Sequence, residues 1–91
     1  MKQTDVILRA MIENPMQKTW TAKDFQRGKY FVGYEASARM SDLMVEYPDL
    51  FIVGREGRFR TLQLNRKQKQ LIKEIKERIH EHLRKNDDSK R

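Results

Sequence analysis

The chain has no cysteine, no histidine before residue 80, one tryptophan, two prolines and four glycines in 91 residues. Without cysteine, disulfide staples and thiolate metal sites are excluded, so stability must come from packing. His80 and His82 stand two apart and face different sides of a helix, with no third ligand of that kind anywhere, so a histidine metal centre is excluded too. There is no glycine-rich phosphate loop and no nucleophile–base set, which leaves only scattered carboxylates for general base chemistry. No enzyme, cofactor or metal is expected. Long apolar runs are also missing. The N-terminal apolar stretch is broken by Arg9 and Glu13, too short and too charged for a signal peptide or a membrane span. A soluble cytoplasmic protein with no membrane partner is expected.

What the chain has in excess is positive charge. Twenty Lys/Arg against thirteen Asp/Glu give a formal +7, which points toward a polyanionic partner. The charge is uneven. Residues 1–65 hold ten basic and eight acidic side chains (+2), and residues 66–91 hold ten and five (+5). The composition shift near residue 65 divides the chain into a domain over 1–65, an amphipathic helix over 66–86 and a disordered tail over 87–91.

Periodicity predicts the elements. Ile7, Leu8, Met11 and Ile12 form one face of a helix over 4–14 with Thr4 as N-cap, ended by Pro15. Residues 16–20 then read as a short strand. Thr21 with Asp24 has the spacing of a capping box, flanked by Trp20 and Phe25 as a hydrophobic staple, and predicts a two-turn helix closed by Gly28. Ala36, Met40, Leu43, Met44 and Tyr47 form the buried stripe of a third helix over 34–47. The segment "FIVGREGRFRTLQL", residues 51–64, has β-prone flanks around glycines and predicts a hairpin. Asn65 is expected to cap a last helix, with Glu74–Arg78 and Glu81–Lys85 as i,i+4 ion pairs. The fold class is therefore α+β, mostly helical, with a three-helix core, a small antiparallel sheet that includes the strand near Trp20, and a C-terminal amphipathic helix.

The stretch "YEASARMSDLMVEYPDLFIVGREGRFRTLQL" resembles the recognition-helix-plus-wing segment of bacterial and phage winged helix-turn-helix proteins, and "SARMSDL" is similar to a helix of small phage-encoded members. The resemblance covers residues 4–64. It implies a double-stranded DNA-binding protein, a transcriptional regulator or phage accessory factor, with helix 34–47 in the major groove. Helix geometry turns Tyr34, Ala38, Ser41 and Val45 away from the buried stripe, with Ser37 and Arg39 on the flanks. Only Arg39 is a strong base reader, and Glu35 and Asp42 lie near it, so modest base readout is expected.

The wing supplies cations. Strand alternation sets Arg58 and Arg60 on the face of Leu62 and Leu64, overhanging the recognition helix, and Arg55 completes the finger. Phosphate backbone or minor groove is the expected contact, with Arg27 and Lys29 from the preceding turn on neighbouring phosphates. The competing expectation is that these arginines pair with Glu56 or Asp49, or only keep an edge strand soluble. Leu71, Ile72, Ile75, Ile79 and Leu83 form the stripe of the last helix. It serves either docking on the chain's own first helix or a homodimer seam. The alternative function is a protein-interaction module, self-associating through that helix and using Ala38 and Val45 as an apolar surface. Trp20, Phe25, Tyr30, Phe31, Phe51 and Phe59 are expected in or beside the core.

Overall fold

The computed structural model describes the backbone of residues 2–89 and the side chains of residues 2–85. The order is helix α1 (Gln3–Glu13), a single 3-10 turn (Ala22–Phe25), helix α2 (Ala36–Glu46), strands β1 (Phe51–Glu56) and β2 (Phe59–Leu64), and helix α3 (Lys69–Ser89). It is a small α+β fold of three helices and a two-stranded antiparallel sheet.

Ile7, Leu8 and Met11 of α1 are buried, as the stripe predicts, and Ala36, Met40 and Leu43 of α2 face them. The helix ends differ from expectation. α1 begins after Lys2, with no side-chain cap, so Thr4 lies inside the first turn. The capping box of Thr21 and Asp24 forms, and Trp20 stacks on Phe25 with ring centroids 5.4 Å apart. No two-turn helix follows it. The Phe25 carbonyl accepts from Val32 N at 2.7 Å and from Gly33 N at 2.9 Å, which removes the acceptor that a continuing α-helix needs. Residues 26–35 therefore form an irregular turn, and α2 starts at Ala36 with Tyr34 ahead of it.

The expected third strand shrinks to one bridge. Trp20 and Leu62 exchange both backbone hydrogen bonds at 2.8 Å. Just before it, Gln17 N bonds to Asn14 O, and the Trp20 indole donates to the Gln17 carbonyl, so residues 14–20 curl instead of extending. The hairpin turns at Gly57–Arg58, where Gly57 takes φ +60°. Glycine at the first central position of a two-residue turn matches the strand twist.

α3 starts at Lys69, three residues later than expected. Asn65 Oδ1 instead accepts from Lys67 N, forming a turn, while Asn65 N holds Leu50 O at 2.7 Å. The stripe then lies on α1. Ile75 and Ile79 are each 3 % exposed within the common core, and Leu71, Ile72 and Leu83 pack half-buried against it. Arg78 bridges to Asp5 of α1 at 2.8 Å and not to Glu74, whereas Lys85 and Glu81 pair as expected at 3.5 Å. Of the tail read as disordered, residues 87–89 are part of the α3 backbone, and residues 90–91 lie outside the described residues. No helix among the described residues is long and apolar enough to cross a membrane.

Candidate nucleic-acid interface

The ladder pairs Phe51 with Leu64, Val53 with Leu62 and Arg55 with Arg60, and residues opposite each other in a ladder share a face. Phe51, Leu62 and Leu64 are buried, so this is the face turned toward the helices. Arg60 continues it outward. Its Nη2 donates to the Ser37 carbonyl at 3.1 Å and to Ser41 Oγ at 3.0 Å, and Ser41 Oγ donates to the same carbonyl at 3.2 Å. Hairpin and α2 are thus tied at the outer end of the sheet.

This geometry changes the assignment of the arginines. Arg60 is half-buried, and its guanidinium end is engaged by α2; it fixes the hairpin's angle to the helix and does not project to solvent. Arg58 leaves the strand for the turn, and Arg55 takes the strand position opposite Arg60. Both are exposed, and among the described residues neither makes an ion pair with Glu56, Asp49 or any other acid. Two arginines directly opposite in a ladder repel each other, which an anion at that spot would relieve.

On α2, Ser37 and Ala38 are exposed, Ser41 is held by Arg60, and Val45 is 83 % exposed. Arg39 is half-buried and tied through Nε to Asp42 at 3.0 Å, so the one side chain expected to read base edges is already partnered. Cations come instead from the hairpin and the turn after Phe25. Arg27 and Lys29 are exposed there, with Lys29 Nζ 5.5 Å from the Tyr30 ring centroid. Lys23, absent from the sequence reading, lies with Nζ 4.0 Å from the ring centroid of Phe59, joining the 3-10 turn to the hairpin tip. A contact between residues thirty-six apart has no local signature, though the Trp20–Leu62 bridge makes it a geometric consequence.

The turn is anchored to α1. The Tyr30 hydroxyl donates to Glu13 Oε1 at 2.9 Å and accepts from Asn14 Nδ2 at 3.3 Å. Burial draws the Glu13 carboxyl upward, but hydrogen bonds from Arg9 and Tyr30 and the charges of Arg9 and Lys29 outweigh it and hold the group below its ordinary value. A lowered folded-state value means that this contribution is complete above the ordinary carboxylate range and is lost as pH falls through the depressed one. α3 meets α2 near Tyr47, where Leu71, Glu74, Ile75 and Arg78 line a shallow depression, at the opposite end of α2 from Ser37. Comparison with protein-family models, curated proteins and solved structures returned no match to this chain.

Proposed function

We propose that the chain is a winged helix-turn-helix protein that binds double-stranded DNA without catalysing a reaction, acting as a transcriptional regulator or phage accessory factor. α2 enters the major groove, and the hairpin serves as the wing. One observation supports this reading: Arg60 ties β2 to Ser37 and Ser41, so the hairpin and the N-terminal half of α2 are held side by side. Unpaired Arg55 and Arg58 are carried on that hairpin. With Arg39 held by Asp42, binding is led by phosphate contacts and DNA shape more than by base edges. The homodimer alternative is less well supported, because Ile75 and Ile79 are already covered by α1.

Anisotropy titrations of a labelled duplex over a series of salt concentrations test the proposal. The Arg55→Ala/Arg58→Ala double variant should bind more weakly and flatten the slope of log K against log salt by about two, since each lost phosphate contact removes about 0.9. Salt-independent binding, or none to any duplex, would sink the reading. Arg60→Ala provides a contrast. A residue that positions the hairpin without touching phosphate should weaken binding by a similar factor at every salt concentration and leave the slope unchanged.

A further inference from the structure

Two aromatic rings on the turn leading into α2 are not used by the core. Tyr34 is 99 % exposed and Phe31 62 %, while nearby Trp20 and Phe25 are buried. Single exposed aromatics are ordinary on a protein surface. These two, however, sit on a turn that is held firmly. Val32 is buried, the Phe25 carbonyl takes both Val32 N and Gly33 N, and Tyr30 is fastened to Glu13. Gly33 has φ +92°, and a Cβ built there would lie 3.4 Å from Phe31 Cζ. The Phe31 ring therefore rests in van der Waals reach of Gly33, and a side chain at that position would strain the backbone at its positive φ.

A cleft of about 190 Å³ is lined by Gln26, Phe31, Gly33 and Tyr34. The Gln26 side-chain amide has no hydrogen-bond partner among the described residues, and it offers one acceptor and two donors at the cleft wall. Arg27 and Lys29 follow Gln26 on the same turn, exposed and cationic. Aromatic walls, an unpartnered amide and adjacent cations match one chemical group: a nucleobase still attached to its phosphodiester chain. Bases inside a continuous duplex have both faces covered by their neighbours, so an aromatic cleft can take only a base that has left the stack.

We propose that this cleft binds an extrahelical nucleobase, so that the protein prefers duplex DNA carrying an unstacked nucleotide over uninterrupted duplex. The inference rests on the DNA-binding reading above and names the kind of DNA involved. Phe31 and Tyr34 supply stacking, Gln26 bonds to the base edge, and Arg27 and Lys29 meet the flanking phosphates.

Three labelled duplexes of one sequence test it by anisotropy at fixed salt: one continuous, one with a single extra adenine nucleotide, and one with an abasic nucleotide at that site. The wild-type chain should bind the adenine duplex about tenfold more tightly than the other two, within the range that base–aromatic stacking provides. Phe31→Ala/Tyr34→Ala should bind all three alike, with an unchanged circular dichroism spectrum. Tyr34→Phe, which keeps the ring, should retain the preference. Equal wild-type binding to the adenine and abasic duplexes, or a preference that survives in the double variant, overturns the cleft proposal and leaves the duplex reading standing. Binding of the adenine duplex with none of the continuous one overturns the duplex reading and upholds the cleft. Binding to none of the three overturns both.

Discussion

A chain ended at Asn65 should fail to fold, showing no cooperative urea transition and little helical circular dichroism. The reason lies in where the α3 stripe is buried. Ile75 and Ile79 belong to the same core as Ile7, Leu8 and Met11, and Leu71, Ile72 and Leu83 cover its margin. Fully burying an isoleucine contributes about 1.5–3 kcal/mol, so two buried and three half-buried apolar side chains contribute roughly 5–10 kcal/mol. A domain of this length has a net stability of about 5–14 kcal/mol. The loss is comparable to the whole. Removal would also expose α1 and break the Arg78–Asp5 bridge and the bond from Arg66 Nη2 to the Met11 carbonyl, 3.1 Å long. Ile79→Ala is the milder form and should cost about 2–5 kcal/mol in urea unfolding, independent of protein concentration. If the stripe were instead a dimer seam, the truncated chain would keep a sharp transition, and Ile79→Ala would act mainly on sedimentation behaviour.

The elements that sequence made legible are those fixed by local periodicity or local caps. The stripes of α1 and α2, the Thr21–Asp24 box and the Trp20–Phe25 pair all involve residues within a few positions of each other, where geometry follows from spacing. The misses arise where a distant partner intervenes. The helix after Thr21 stops after one turn because Val32 and Gly33 take the Phe25 carbonyl. The strand before Trp20 is reduced by the curl at Gln17. Arg78 chooses Asp5, seventy-three positions away, over Glu74 one turn back, because α3 docks against α1. The candidate site divides the same way. Its exposed cations were legible from composition, but Arg60's engagement with Ser37 and Ser41 depends on how the hairpin leans on α2. Phe31, expected beside the core, faces solvent because the bonds at Phe25 and the positive φ of Gly33 reverse the chain around it.

Phe25→Ala should be the most damaging single substitution in the half of the fold that carries the site. Phe25 is fully buried and stacked on Trp20, with the ring planes 18° apart. Deleting a buried phenylalanine side chain costs about 3–5 kcal/mol, because the lost burial is joined by the cavity left behind. The stacked partner adds about 0.5–1.5 kcal/mol. For a chain of this size each kcal/mol moves the melting temperature by about 4–8 °C, so a fall of roughly 15–50 °C is expected. Phe25→Leu keeps most of the volume and should lose less than half as much. The effect should also reach the interface. The amides of Val32 and Gly33, both bonded to the Phe25 carbonyl, should exchange with solvent faster in Phe25→Ala, because the ring that fixes that carbonyl is gone. Arg27, Lys29, Phe31 and Tyr34 all ride on that turn, so the DNA binding proposed above should weaken even at temperatures where the rest of the chain stays folded. A loss below about 1 kcal/mol would mean that the pocket around residue 25 collapses to fill the space. Unchanged protection at Val32 and Gly33 would mean that the turn is held by Tyr30 and Glu13 alone.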